Sequence, residues 1–175
     1  MKTDTKTYVL TVSRNFPTTH PRKGEKTEFV LKIQNGLGIT CKNCREVSRF
    51  DGDCCGYLPG QKGEKLHTIR ANYDFWKKRI DEVNEGKAIL SLRYWTGKPY
   101  CSKQEEFARL DKDSGIGVQK LEDPTNFVFA PIDGKTINWD EVAKNDGLSF
   151  NDFCEWFKVR KNSPMAIIHF TNFRY

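Results

Sequence analysis

The sequence has no apolar run near the roughly 18 residues that a membrane span requires, and its start, MKTDTKTYVLTV, breaks up its few apolar residues with polar ones. That argues against a spanning helix and against a secretory leader, and the expectation is a cytoplasmic protein without a membrane partner. Histidine is scarce, with three in 175 residues. No Ser-His-Asp or Cys-His arrangement is readable, and neither a P-loop nor a dinucleotide fingerprint occurs. Low-complexity tracts and internal repeats are also missing. What the chain has is aromatic residues, 12 Phe, 6 Tyr and 4 Trp, enough to argue against a disordered chain despite a mean hydropathy of -0.69. Twenty-nine Lys and Arg against 23 Asp and Glu leave a net charge of +6. A surplus of that size is compatible with nucleic-acid contact without requiring it.

The pattern of elements predicts one domain over residues 1–175, interrupted by a Cys-rich insertion at about 37–62. Tyr8 to Ser13 reads as a strand and Asn15 to Gly24 as a loop. A helix follows on Phe29, Val30 and Ile33, with Thr27 as N-cap and Gly36 as its left-handed stop. After the insertion, Leu66 to Arg70 reads as a strand. Asn72 caps a helix with Tyr73, Trp76, Ile80 and Val83 on one face, and Gly86 closes it. Strands are then expected at Ala88 to Trp95, Gln104 to Leu110, Ile116 to Leu121 and Phe127 to Ile132. Lys135 to Asn138 completes a hairpin about Asp133-Gly134. Two short helices, Trp139 to Lys144 and one opened by Ser149 with Phe150, Phe153, Cys154 and Phe157 along a single face, precede a buried strand at Met165 to Phe170. Strands joined by short turns pair antiparallel, so the expected class is α+β, a small, mostly antiparallel barrel flanked by helices.

Three stretches offer chemistry. Gly63-Glu64-Lys65-Leu66-His67-Thr68-Ile69-Arg70 places Thr68 and Arg70 on one face of a strand. Lys65 stands at the strand entry, where a turn after Gly63 can aim its long side chain back toward them. The competing reading is a solvated strand with ordinary surface charges. In Trp95-Thr96-Gly97-Lys98-Pro99-Tyr100, Trp95 and Tyr100 flank Lys98, a grouping that can stack a base and touch a phosphate; Arg93 and Lys103 extend its charge. Cys41 and Cys44, followed by Cys54 and Cys55, are candidate zinc ligands, since thiolate coordination would order an otherwise coreless segment. Adjacent cysteines seldom both reach one ion, which leaves His67 or His20 as a fourth ligand and free thiols as the competing reading. Cys101 and Cys154 invite no functional claim, His67 is expected on the strand face opposite Thr68, and His169 is expected as a buried, hydrogen-bonded imidazole.

The helix F-x-x-x-I-x-x-G (Phe29, Ile33, Gly36), the element G-x-K-x-x-T-x-R (Gly63, Lys65, Thr68, Arg70), Asp146-Gly147 leading into Ser149 to Phe157, and the closing His169-Phe170 arrive in the order seen in ASCH domains. The chain resembles that family, part of the PUA-like superfamily, over nearly its whole length outside the insertion. The resemblance implies a PUA-like β-barrel with a cleft beside the first helix and a ligand that is RNA or nucleoside-like. Some small ASCH proteins are amidohydrolases that remove the acetyl group from N4-acetylcytidine with a lysine and a threonine of this motif and a glutamate ahead of the late helix. By position these roles fall to Lys65 as base, Thr68 as nucleophile and Asp146 as acid. Asp146 departs from the pattern, being one methylene, roughly 1.5 Å, shorter than glutamate. The leading expectation is therefore binding of RNA or a modified nucleoside through Lys65, Thr68, Arg70, Trp95, Lys98 and Tyr100, with no cofactor required. Amide cleavage is the alternative, and a protein-interaction module using the Cys-rich insertion is a third. The oligomeric state stays open.

Overall fold

The computed structural model describes residues 5–39, 63–122, 128–158 and 164–175. Among the described residues eight strands and four helices run in the order β1 (Lys6–Thr11), α1 (Phe29–Gly36), β2 (His67–Ala71), α2 (Tyr73–Asn84), β3 (Ala88–Trp95), β4 (Gln104–Leu110), β5 (Gly117–Leu121), β6 (Ala130–Ile132), β7 (Lys135–Ile137), α3 (Trp139–Asn145), α4 (Phe150–Trp156) and β8 (Met165–His169). The expected class holds: the fold is α+β with mostly antiparallel sheets. The described strands form two sheets, β1-β3-β4 and β2-β8-β5-β6-β7, and do not close into a single barrel. One pair departs from the antiparallel expectation. β1 runs parallel to β3, with Lys6 opposite Ala88, because α1, β2 and α2 intervene and return the chain in the same direction. None of the described helices is long and apolar enough to cross a membrane.

Each sheet covers its own core. Leu10, Leu90, Leu92 and Leu110 of the first sheet pack with Ile80 and Val83 of α2, while Ile69, Leu121, Ile132 and Ile167 of the second meet Val142 of α3 and Phe153 of α4. β8 serves both cores through the alternation of a strand, sending Ala166 and Ile168 to one and Ile167 to the other. Helix α1 also bridges them, with Ile33 in the first core and Phe29 in the second.

Local chemistry explains most element ends. Asp133 and Gly134 both take positive φ, 46° and 74°, as a two-residue hairpin with strand-matching twist demands. The side-chain oxygens of Asn72, Asn138 and Ser149 accept the N–H groups of Phe75, Asp140 and Asp152 at the starts of α2, α3 and α4. Two expectations for α1 need correction. Glu28, not Thr27, occupies the N-cap position; the Thr27 hydroxyl accepts from Phe29 N–H and donates to the Ser13 carbonyl, tying the loop to the end of β1. Gly36 is the last helical residue, and the left-handed residue is Gly38. Phe150 is also exposed at 42%, so the apolar face of α4 rests on Phe153 with Phe157 packed beside it.

Candidate active site

The approach to β2 is held from two sides. Lys65 N–H donates to the Lys32 carbonyl of α1, and Leu66 N–H donates to the Asn145 carbonyl at the end of α3. Two glycines permit this closeness. A Cβ on Gly36 would stand 3.3 Å from the Lys65 carbonyl oxygen, and one on Gly147 would stand 3.0 Å from the Lys65 Cβ. The strand entry therefore turns the Lys65 side chain inward, where it is 1% exposed with its Nζ 4.2 Å from the centre of the Phe29 ring. Elements far apart in the sequence, Phe29 and Gly36, and Asp146-Gly147, meet at one lysine, Phe29 and Asp146 at its ammonium.

That ammonium donates to the Asp146 backbone carbonyl at 2.6 Å and lies 2.7 Å from Asp146 Oδ1. Asp146, 3% exposed, follows α3 and is placed by the turn through Gly147, whose φ is +77°. Alanine at 147 would adopt a left-handed conformation costing about 1–2 kcal/mol and would press its Cβ on Lys65. We expect Gly147→Ala to lower unfolding free energy by at least that much in urea denaturation; an unchanged midpoint would contradict this account of the turn.

Lys65, Thr68, Arg70 and Asp146 line one cavity together with Phe29, Trp156 and Phe157. Solvated surface residues are thus not what this segment supplies. Thr68 is 6% exposed, and among the described residues its hydroxyl has no hydrogen-bond partner. Arg70 donates one terminal N–H to the Thr11 carbonyl at 2.7 Å, while its buried Nε has no partner among the described residues. The cavity holds about 30 Å³, room for one or two waters and far below the ~300 Å³ at which small-molecule pockets begin. Trp156, packed on Phe16 and Phe29, and Phe157, packed on Phe153, form apolar parts of its lining.

Burial pushes the Lys65 amine down to about 8, against the opposing pull of Asp146. Burial alone would raise the Asp146 carboxyl, but the Lys65 charge and His67 outweigh it and hold the group below the usual carboxylate range. Asp146 is accordingly a carboxylate at neutral pH, an electrostatic partner for Lys65 rather than a proton donor.

Two residues of this cluster were not singled out by the sequence for this site. His67 is fully buried, with Nδ1 3.5 Å from Asp146 Oδ1 and Nε2 2.6 Å from the Tyr175 hydroxyl. Strand alternation puts His67 opposite Thr68, but Asp146 reaches around the strand entry to touch both Lys65 and His67. His169 is buried as expected, yet neither ring nitrogen has a hydrogen-bond partner among the described residues, and burial lowers it to about 2, so it is neutral.

The remaining sequence-stretch candidates lie elsewhere. Trp95, Lys98 and Tyr100 do not line the cavity; half-buried Trp95 ends β3, and its ring stands 5.4 Å from that of Tyr100, which is 89% exposed in the turn that also carries exposed Lys98. Cys41, Cys44, Cys54 and Cys55 fall outside the described residues. Of their proposed fourth ligands, His67 is engaged by Asp146 and Tyr175, and His20 packs on Phe16 with Nε2 3.2 Å from the Asp152 carbonyl. Among the described residues no group of three or more metal-ligating side chains forms.

In comparisons with known proteins, no family model, no curated protein and no solved structure matches this chain.

Proposed function

We propose that the chain is an ASCH-like, PUA-like domain that cleaves the amide of an acylated heterocyclic amine, of which N4-acetylcytidine is the representative. The observation that carries this reading is that Thr68, whose hydroxyl has no hydrogen-bond partner among the described residues, lines the same cavity as an amine whose proton affinity burial has lowered toward neutrality. A threonine hydroxyl is a poor nucleophile until a base takes its proton, and an amine titrating near 8 is well matched to that task.

The proposed sequence balances with the groups present. Thr68 Oγ1 bonds to the acyl carbon as neutral Lys65 accepts the hydroxyl proton, and the carbonyl electron pair moves onto oxygen. Arg70, with its unpaired buried Nε–H, is the donor that receives this oxyanion. Collapse breaks the carbon–nitrogen bond, and the Lys65 ammonium returns its proton to the departing nitrogen, releasing the free amine and leaving an ester on Thr68. Water then attacks the ester, giving its proton to Lys65, which passes it to Thr68 Oγ1 as the carboxylic acid leaves. Asp146, being ionised, takes no proton; its charge offsets the ammonium each time Lys65 is protonated. The heterocycle exceeds the present cavity, so binding displaces Trp156 and Phe157, and these flat apolar rings suit a planar base.

Incubating the protein with N4-acetylcytidine and following cytidine by chromatography tests the proposal. Turnover abolished by Thr68→Val supports it; turnover equal to the buffer blank contradicts it. Half-buried Trp95 against exposed Tyr100, in a turn that carries Lys98, favours a second reading, contact with single-stranded RNA. If phosphates are bound, log affinity falls steeply with log salt, and a slope near zero removes that reading.

A further inference from the structure

The hydroxyl of Tyr175 accepts a hydrogen bond from Asn145 Nδ2 at 3.2 Å and lies 2.6 Å from His67 Nε2. Burial and nearby carboxylates raise the Tyr175 phenol above its usual range, so it keeps its proton. With Asn145 supplying a proton to the oxygen, the phenolic hydrogen is free to point at Nε2. An imidazole that accepts at Nε2 carries its own hydrogen on Nδ1. Nδ1 faces Asp146 Oδ1 at 3.5 Å; among the described residues neither atom has a hydrogen-bond partner, so the contact is between an N–H dipole and a carboxylate charge. The opposite tautomer would set an Nδ1 lone pair against a carboxylate in a water-poor interior, so both ends of the chain demand the same assignment. His67 is fully buried and burial holds it neutral, which means this tautomer, not a charge, is what His67 offers.

We infer that His67 and Tyr175 are positioning residues: the hydrogen bonds joining Asn145 to Tyr175 and Tyr175 to His67 fix the imidazole so that its Nδ1–H dipole faces the Asp146 carboxylate and biases it toward the Lys65 ammonium. His67 and Tyr175 do not line the cavity that holds Thr68 and Arg70. They act through Asp146, and the inference rests on the amide-cleaving reading only where it concerns rate. The other charged or titratable groups near the chain among the described residues are Lys32, which donates to the Gly147 carbonyl at 2.7 Å, Arg70, Glu141, whose charge acts on Tyr175, His169, whose ring lies 5.5 Å from His67, and Arg174, which bears on His169. None of them hydrogen-bonds to a nitrogen of His67 among the described residues, so the tautomer is set by Tyr175 and Asp146.

Nitrogen-15 NMR of the intact protein, labelled at histidine, reads the tautomer directly and needs no substrate. The expected result is a neutral His67 protonated at Nδ1; a neutral His67 protonated at Nε2, or a charged one at pH 7, overturns the chain whether or not the protein is an enzyme. Tyr175→Phe supplies the second arm. It keeps the ring contacts with His67 and His169 and removes only the hydroxyl. The expected effects are a mixture of His67 tautomers and an upward shift in the pH at which Asp146 titrates, together with a fall in kcat of about tenfold, the rate equivalent of one lost hydrogen bond. An unchanged tautomer and an unchanged acidic limb in Tyr175→Phe overturn the positioning role. Lack of activity in the wild type beside the Nδ1–H tautomer would remove the enzymatic reading alone and leave the hydrogen-bond chain standing.

Discussion

Asp146→Ala is expected to lower the unfolding free energy by about 3–5 kcal/mol, measured as a shift of the urea midpoint at constant slope. The side chain removed is small, so packing loss cannot account for a change of that size. The cost arises because Lys65, 1% exposed, would lose the carboxylate 2.7 Å away and must either bury an unpaired ammonium or release its proton on folding. A buried charge without a counter-charge retains its full desolvation penalty. The pH dependence has two arms with opposite signs. The Asp146 carboxyl sits below its ordinary value, so its contribution is present above the ordinary carboxylate range and disappears as pH falls through the depressed one. The Lys65 amine sits near 8 rather than 10.5. Between those values the unfolded chain holds a proton that the folded chain has released, and stability gains as pH rises across that window. Replacing both partners by apolar residues of similar size, Lys65→Met with Asp146→Leu, should cost less than Asp146→Ala alone, since no unpaired charge remains. A double variant as unstable as the single one would contradict the ion-pair explanation.

Thr68→Val has the largest expected effect on chemistry. Valine keeps the branched shape that suits β2 and removes a hydroxyl with no partner to lose, so stability should change by less than about 1 kcal/mol. Turnover of N4-acetylcytidine should disappear, whereas Thr68→Ser, which keeps the oxygen, should retain it. Lys65→Met removes the base and is expected to reduce kcat by about 10²–10⁴. The base is the neutral amine, so kcat/KM in the wild type should climb with pH, about tenfold per unit, and level above about 8. A flat profile from pH 6 to 9 would show that Lys65 is not the group being titrated. Full activity in Thr68→Val would move the nucleophile elsewhere, to a water molecule or to another side chain.

Much of this arrangement was legible before any coordinates. The Asp133-Gly134 turn, the caps at Asn72 and Ser149 and the strand at Ala88–Trp95 follow from local rules, and the structure has them. The inward turn of Lys65 was readable as an option at a strand entry after glycine, and it is realised because α1 and α3 supply the carbonyls that hold Lys65 and Leu66. The parallel pairing of β1 with β3 was not readable, since it depends on how the chain returns through α1, β2 and α2. Nor was the part played by His67 and Tyr175, which are 108 residues apart. Side-chain alternation gives the face of a strand, but not which loop will reach around its end, and here Asp146 does so. The Trp95-to-Tyr100 turn shows the converse: an aromatic and cationic composition marks a stretch of chain without stating its distance from the cavity.

The most direct test of the account is to quench a reaction with N4-acetylcytidine in acid at early times, digest the protein and locate any acyl group by mass spectrometry. The account predicts acetyl on the peptide containing Thr68 in the wild type, and none in Thr68→Val. Cytidine formed at the same rate in both proteins, with no acylated peptide in either, would contradict it.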